Sequence, residues 1–269
     1  MRQKSLNVLI LAAILTLLWG GVALAADHQE EFQKVLPLSA KGTFSLKNVN
    51  GNVAVTTWKE EKVEIKALKK TNKDPENLQK VKIEVVSTTD SVSVDTIYPK
   101  GKNTGVSVNY EVKVPEGIRL SEVHTVNGGL SLTGPFGRAD ASTVNGGIHI
   151  ENASGELILE TTNGDVKAVN VRGGIKANTT NGSIQLDLKV LEADVRAETT
   201  NGGIVLRLSA PQEINATLDA KTTNGSISFD FAVTVQSLEK SKHRLQGQIG
   251  QGGPLVSLKT VNGSIRLIR

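Results

Sequence analysis

The sequence predicts an all-β protein, a parallel β-solenoid with 18-residue Asn-Gly coils and a β-rich N-terminal cap. Three observations support this prediction. The dipeptide Asn-Gly recurs along the chain, and its first four regular copies are 18 residues apart. A Thr stands two positions before the Asn of every regular copy. Apolar residues stand three and five positions after that Asn, which is the alternation of a strand with one buried face.

Two folds use Asn-Gly between alternating apolar runs, a meander of β-hairpins and a parallel solenoid. A meander needs no constant unit length, whereas a solenoid stacks residue i on residue i+18 at about 4.8 Å and favours identical residues in register. The period therefore favours the solenoid. We interpret the repeated asparagines as a structural ladder at the turns. They are Asn127, Asn145, Asn163, Asn181, Asn201, Asn224 and Asn262.

The glycines mark the two corners of each coil. Asn and Gly both tolerate positive φ, so we expect the Gly of each Asn-Gly to adopt a left-handed backbone that reverses the chain. A second set, Gly137, Gly155 and Gly173, follows nine residues later and marks the opposite corner. Each coil thereby divides into two halves of the form Gly-x-apolar-x-apolar.

Residues 1–25 have the features of a secretory signal peptide. Arg2 and Lys4 precede an apolar run that is shorter than the roughly 20 residues of a membrane-spanning helix, and a small-residue cleavage site ends at Ala25. We expect cleavage near Ala25, a periplasmic or secreted location, and no integral membrane span in the mature chain. The chain contains no Cys, which excludes disulfides, thiolate metal ligands and a Cys nucleophile.

The charge pattern argues against nucleic acid as a partner. Removal of Arg2 and Lys4 with the signal lowers the formal net charge from +4 to +2. Basic residues alternate with acidic residues through most of the chain, whereas nucleic-acid-binding proteins concentrate them on one face. We expect a monomer whose partner is an envelope protein or a glycan.

Residues 26–117 form the predicted cap, which is β-rich but lacks the 18-residue period. Alternating apolar residues predict strands at 43–46, 52–57, 62–68, 81–87, 91–97 and 106–114. Asp74 and Pro75 could begin one short helix. An outlying Asn50-Gly51 copy is the predicted first coil. The segment 58–115 is expected to cover the N-terminal end of the stack, because an open end would expose strand edges.

In this layout the chain resembles an exported bacterial β-strand-repeat family of unknown function that is labelled putative adhesin. The resemblance rests on the early Asn-Gly strand pair that ends at Trp58, on the Val-Pro-x-Gly phrase at Val114 to Gly117, and on Asn-Gly coils to the chain end. It covers nearly the whole mature chain. It implies a β-solenoid and an extracytoplasmic location, and it brings no catalytic residues.

Residues 118–269 form the predicted solenoid, with an insertion at 231–253. The insertion contains a basic cluster that is either a candidate interaction loop or a solvated loop, namely Lys240, Lys242, His243 and Arg244. The last strand, 264–269, has no later strand to pair with. We therefore expect a free parallel edge that Arg266 and Arg269 protect by charge.

The sequence contains no convincing catalytic, metal or cofactor site. Glu160 and Glu198 lie in one outward column but are separated by a coil, hence by roughly 9 to 10 Å. Asp187 and Asp230 are expected to flank Arg207 as an ion-pair ladder. The favoured function is a non-catalytic, adhesin-like envelope or surface interaction or scaffold module without cofactors. The alternative is a cell-wall or polysaccharide-acting enzyme on a β-helix scaffold.

Overall fold

A computed structural model describes residues 28–209, 215–230 and 235–269. The predicted signal segment and its cleavage site lie outside the described residues. Within them the chain is all-β, with one short helix and two sheets composed mainly of parallel strands, as the sequence predicts. No helix in these three ranges is long and apolar enough to cross a membrane.

The N-terminal part contains seven strands and the helix. The strands predicted for this region begin and end within a few residues of the observed ones. The strand that precedes residue 43 is not among those predicted. The elements are β1 (His28–Pro37), β2 (Thr43–Lys47), β3 (Val53–Trp58), β4 (Lys62–Thr71), α1 (Glu76–Lys80), β5 (Lys82–Ser87), β6 (Ser91–Ile97) and β7 (Ser107–Pro115).

The regular part places two strands in each 18- to 20-residue unit, one before and one after each Asn-Gly. These strands are β8 (Arg119–Asn127), β9 (Leu130–Thr133), β10 (Arg138–Asn145), β11 (Ile148–Glu151), β12 (Glu156–Asn163), β13 (Val166–Arg172), β14 (Ile175–Asn181), β15 (Ile184–Val190), β16 (Val195–Asn201) and β17 (Ile204–Leu208).

The C-terminal part adds two further Asn-Gly units with a hairpin between them. Its strands are β18 (Ala216–Asn224), β19 (Ile227–Asp230), β20 (Val235–Lys240), β21 (Arg244–Ile249), β22 (Leu255–Asn262) and β23 (Ile265–Ile268).

Strands that follow Asn-Gly form sheet A and strands that precede it form sheet B. Sheet A runs β1-β4-β7-β3-β9-β11-β13-β15-β17-β23-β19, and sheet B runs β20-β21-β18-β22-β16-β14-β12-β10-β8-β2-β6-β5. Pairing within the regular part joins residues 18 apart, for example Ile148 with Val166 and Leu159 with Ala177. Inward apolar columns from both sheets form one buried core.

The N-terminal segment extends both sheets. Strands β2 and β3 pair in parallel with β8 and β9, so residues 43–58 add one more Asn-Gly unit to the stack. Beyond them, β7, β4 and β1 continue sheet A, while β6 and β5 continue sheet B. Helix α1 lies near the Lys69 ammonium, which donates to the Leu78 carbonyl at 3.2 Å and pairs with Glu30 at 2.8 Å.

The Asn-Gly glycines are needed for a different reason from the one expected. Among them only Gly51 has a positive φ, 124°. A Cβ on Gly146 would instead lie 2.0 Å from the carbonyl oxygen of Gly128 in the neighbouring coil, and a Cβ on Gly164 would lie 2.0 Å from that of Gly146. Close approach between coils, and not a left-handed backbone, therefore excludes larger residues from these positions.

The C-terminal strand is not a free edge, so that expectation is wrong. Strand β23 pairs in parallel with β17 on one side and with β19 on the other, and β22 likewise lies between β16 and β18. In the stack, the last unit of the sequence (β22 and β23) therefore lies between the unit of β16 and β17 and the unit of β18 and β19. The expected ladder of Asp187, Arg207 and Asp230 is also wrong, because Ile268 lies between Arg207 and Asp230.

Candidate functional site

A groove of about 650 Å³ lies on the outer face of sheet A. Its floor consists of small residues on neighbouring strands, namely Ala54, Ser131, Gly129 and Gly147. The apolar side chains beneath the floor, such as Leu130 and Ile148, point inward and are buried. The groove exists because the outward positions of these strands carry almost no side chain.

One column of this face is organised by hydrogen bonds from backbone N–H groups to side-chain oxygens of the adjacent strand. Asn52 donates its N–H to Asn109 Oδ1 at 2.9 Å, and Gly129 donates its N–H to Asn52 Oδ1 at 2.8 Å. Further along the same column, Ser183 donates its N–H to Asp165 Oδ1 at 2.7 Å. In these three pairs a carboxylate or amide oxygen satisfies the N–H of the next coil, whereas Ser226 donates its N–H to the Ser264 hydroxyl at 3.4 Å.

Two glycines interrupt this pattern at the groove. Gly129 precedes Gly147 in the column and Gly147 precedes Asp165, because the three residues occupy equivalent places two positions after Asn127, Asn145 and Asn163. A glycine has no side chain that could accept a hydrogen bond. Within the described residues, the N–H groups of Gly147 and Asp165 accordingly have no protein acceptor.

Charged side chains surround the floor without forming a like-charged cluster. Glu111 lies at one end of the groove, and His149 and Lys167 lie at the other. His149 Nε2 lies 2.8 Å from Glu151 Oε1. The groove therefore carries hydrogen-bond donors and acceptors around a floor whose exposed surface is mainly apolar.

The charged groups of the groove lie at opposite ends of its floor. Across the described ranges there is also no group of three or more His, Cys, Asp or Glu placed to hold a metal ion.

The asparagines singled out in the sequence lie together at the turn. Each donates from Nδ2 to the Oδ1 of the Asn in the adjacent coil at 2.8 to 2.9 Å, from Asn127 on Asn50 to Asn224 on Asn262. The ladder order at the end is Asn201, Asn262, Asn224, which reflects the inserted last unit. All these amides bond to each other on an exposed corner.

The threonines two positions earlier have a distinct role. Thr161 Oγ1 donates to the Gly146 carbonyl at 2.9 Å, and Thr179 Oγ1 donates to the Gly164 carbonyl at 2.9 Å. The same contact recurs in the other regular coils. These threonines are buried. Each hydroxyl donates to the glycine carbonyl oxygen that lies close to the Asn-Gly glycine of the next coil.

The basic cluster of the insertion lies far along the chain from the groove, on a hairpin. Lys240 ends β20, Arg244 begins β21, and Lys242 and His243 form the turn between them. Lys242, His243 and Arg244 are exposed. Strand β21 pairs antiparallel with β18, so the hairpin continues sheet B beyond the last coil.

The outward carboxylates are not arranged as a catalytic pair. Asn178 lies between Glu160 and Glu198 in the register, as expected. Glu160 lies 3.6 Å from the Lys176 ammonium, and Glu198 lies 3.4 Å from the Lys259 ammonium. Asp187 accepts a hydrogen bond from Ser209 Oγ at 2.7 Å. These are contacts of solvated side chains on the two outer faces.

Sequence reasoning missed the groove because its main feature is missing side chains. The signal is nevertheless present two positions after each Asn, where the residues are Asn52, Gly129, Gly147, Asp165, Ser183, Gly203, Ser226 and Ser264. Only Gly129 and Gly147 are adjacent glycines in the stack, since Gly203 lies between Ser183 and Ser264.

Comparison with known proteins finds solved structures that are similar to this chain. A putative adhesin from Bacteroides fragilis superposes with a TM-score of 0.44 at 12% identity, covering 89% of this chain and 96% of that one. A putative cell adhesion protein from Clostridium sporogenes gives 0.36 at 13% identity, covering 89% and 99%. No curated protein sequence matches the chain.

The family comparison extends over most of the chain. The family model described as Toastrack DUF4097 matches residues 34–267. The resemblance inferred from the Asn-Gly layout, to a β-repeat family of unknown function labelled putative adhesin, is thereby confirmed. The protein belongs to the Toastrack family DUF4097.

Proposed function

We propose that this protein is an exported, non-catalytic, adhesin-like interaction module in which a parallel β-solenoid of Asn-Gly coils presents a glycan-binding groove. The observation that carries the proposal is the small-residue floor of sheet A at Ala54, Ser131, Gly129 and Gly147, enclosed by polar and charged side chains. The proposed location is periplasmic or secreted after removal of residues 1–25, and the proposed state is a monomer.

The chemistry of the groove favours a glycan over a protein partner. Sugar hydroxyls both donate and accept hydrogen bonds, and the alternating amide, carboxylate, hydroxyl and ammonium groups of the lining match that requirement.

The position of the groove supports the same choice. It lies on the face of a sheet, away from both edges, where each strand is paired with a neighbour on either side. A peptide that binds as an added strand needs a free edge. A ligand that lies across the strands and contacts side chains of successive coils does not.

Glycan-array binding with the purified protein tests this function, with a turnover screen on the same polysaccharides to test the enzyme alternative. Ser131→Trp should fill the floor and abolish binding. Val205→Trp is the matched control, because Val205 occupies the same outward column outside the groove. Binding without turnover that only Ser131→Trp removes is the expected result. Product release from any glycan would favour the enzyme, and equal loss in both variants would contradict the site.

A further inference from the structure

The backbone N–H of an Asn-Gly glycine is normally held by the next coil of the stack. Gly182 donates its N–H to the Asn201 carbonyl oxygen at 3.0 Å, and Gly263 donates its N–H to the Asn224 carbonyl oxygen at 3.0 Å. The same bond to the Asn carbonyl of the next coil is made by Gly51, Gly128, Gly146, Gly164 and Gly202. These turns are therefore all closed in the same way.

Asn224-Gly225 is the turn at the end of this series, because Asn224 is the last member of the Asn ladder. Its side chain is held through Nδ2, which donates to Asn262 Oδ1 at 2.8 Å. Within the described ranges, no donor faces Asn224 Oδ1 and no acceptor faces the Gly225 N–H. This glycine nitrogen therefore lacks the bond that fixes its counterparts.

The C-terminal hairpin does not replace the missing coil at this turn. Strand β21 pairs with β18 as far as Lys221. The next contact is the last of the series, in which the Thr222 N–H donates to the His243 carbonyl oxygen at 3.0 Å. Asn224 and Gly225 lie beyond that point, so the hairpin backbone leaves them uncovered.

An asparagine that precedes a glycine can rearrange without an enzyme. The glycine nitrogen bonds to the asparagine Cγ, the Cγ–Nδ2 bond breaks, and the departing nitrogen takes up the N–H proton and leaves as ammonia. Water then opens the five-membered succinimide to aspartate or isoaspartate. Glycine favours ring closure because it has no side chain in the way. A glycine nitrogen that is hydrogen-bonded within a paired sheet must first be released by local opening.

We propose that Asn224 is a site of succinimide-mediated deamidation and that contact with the next coil protects the other Asn-Gly pairs. The Gly225 nitrogen attacks Asn224 Cγ, ammonia leaves, and water supplies the oxygen of the new carboxylate. The product adds a negative charge at the end of the ladder. It also has no Nδ2 to donate to Asn262 Oδ1, so the last bond of the ladder is lost.

The chain contains a matched control for this site. Residues 179–184 and 222–227 have the same sequence, Thr-Thr-Asn-Gly-Ser-Ile, so local sequence gives Asn181 and Asn224 the same intrinsic reactivity. Both asparagines are exposed, so access of water does not distinguish them. The difference lies in the next coil, where Asn201 accepts the Gly182 N–H and donates its Nδ2 to Asn181 Oδ1 at 2.8 Å.

Peptide mass spectrometry after incubation in mildly alkaline buffer measures the modification at each asparagine. Cleavage after lysine places Asn181 in peptide 177–189 and Asn224 in peptide 222–240. In the folded protein we expect Asn224 to be converted at least about tenfold faster than Asn181, because conversion of Asn181 requires local opening of the stack. In concentrated urea, where the coils are lost, the two rates should be equal.

A variant locates the modification within its peptide. Asn224→Gln keeps the amide but lengthens the side chain by one methylene, which disfavours the five-membered ring. It should abolish the mass change of peptide 222–240 and leave the rate at Asn181 unchanged. A mass change that persists in this variant would place the modification at another residue and overturn the proposal.

Three further results would contradict the protective role of the next coil. Equal rates at Asn181 and Asn224 in the folded protein would show that the N–H bond gives no protection. Faster conversion of Asn262, the last Asn-Gly of the sequence, would show that Asn224 does not end the stack. A difference that persists in urea would show that the fold does not cause it.

Discussion

At the scale of the residue, close contact with the adjacent coil, and not the backbone angle, requires a glycine at each Asn-Gly turn. The carbonyl oxygen of one coil lies where the Cβ of the next would be, at 2.0 Å for Gly128 against Gly51. A Thr hydroxyl bonds to the same carbonyl from the other side, as Thr125 does to Gly51 at 3.2 Å. The constant Thr and Gly positions are two parts of one contact between coils.

This contact predicts a sharp difference between two adjacent glycines. Gly128→Ala should destabilise the fold by about 3 kcal/mol, because the new methyl group overlaps a backbone oxygen that is held by sheet pairing. Gly129→Ala should change stability by less than about 0.5 kcal/mol, because its Cβ would have ordinary contacts and no positive φ. Urea denaturation of both variants is the measurement. Equal costs would show that backbone angle, and not contact, sets the requirement.

The two tyrosines give a second residue-scale prediction, on alkaline stability. Burial raises the pKa of Tyr98 to about 12, and burial also raises the pKa of Tyr110. Tyr98 donates to the Asn50 carbonyl at 3.3 Å, and Tyr110 Oη lies 2.7 Å from Thr96 Oγ1. Each phenol stays neutral in the folded state after its unfolded counterpart, near pH 10, has ionised.

Stability from these phenols is therefore fully present below about pH 10 and is lost as pH rises toward the folded pKa. The chain has only two Tyr, so phenolate absorbance reports them without interference from others. We expect titration near pH 10 in urea and near pH 12 or above in the folded protein. The double variant Tyr98→Phe, Tyr110→Phe should lose the alkaline slope of stability between those values. A folded titration near pH 10 would contradict the burial argument.

The groove shows which sites sequence reasoning can find. Such reasoning looks for reactive or charged side chains at characteristic spacings. The repeated polar residues here are Asn and Thr, and their hydrogen bonds join neighbouring coils. The groove is instead formed where small residues lie next to one another, at Ala54, Ser131, Gly129 and Gly147. Its place depends on which strands are neighbours in sheet A, and the sequence pattern alone does not specify that order.

At the scale of the element, strand existence follows from the sequence but strand order does not. Alternating apolar residues and a constant period specify which residues face inward and which residue stacks on which. They do not specify whether the last unit adds to the end or enters beside β16 and β17. Every coil presents the same Asn, Gly and Thr contacts, so either order satisfies the local pattern.

Asp194 is a residue that favours the observed order. Its Oδ1 accepts a hydrogen bond from the N–H of Leu255, the first residue of β22, at 2.9 Å, and its Oδ2 pairs with Arg196 at 2.8 Å. The bond from the Leu255 N–H is the main cause that lowers the pKa of Asp194 below its usual 3.8. The loop before β16 thus holds the start of the inserted unit.

Loss of this contact should loosen the last unit. Asp194→Ala is expected to cost about 1 kcal/mol at neutral pH, the usual contribution of one hydrogen bond, and to raise hydrogen exchange in residues 255–268. Because the folded pKa is lowered, the contribution is present above about pH 4 and is lost as pH falls through the folded value. The gap between wild type and variant should therefore close in acid. Asp194→Asn, which keeps the acceptor, should retain most of the stability.

At the scale of the whole molecule, the two ends of the stack are closed differently. At the N-terminal end, β7, β4 and β1 extend sheet A, and β6 and β5 extend sheet B. At the C-terminal end the hairpin of β20 and β21 extends sheet B beyond β18. Within the described ranges, β19 is the last strand in the order of sheet A and lies next to β23.

The C-terminal strand is therefore not a sheet edge that requires protection from self-association. An unpaired edge can pair with a strand of another copy, and short length and charge are the usual protection. Arg266 lies in β23, between Val205 and Ser228 in the register, where both edges are already paired.

Replacement of the charge in β23 tests this order at the level of assembly. Arg266→Val should leave the protein a monomer at every concentration, because β23 is paired on both sides and has no free edge to expose. Size-exclusion chromatography with light scattering is the measurement. Oligomers of Arg266→Val that increase with concentration would contradict the sheet order, in which the last unit is internal.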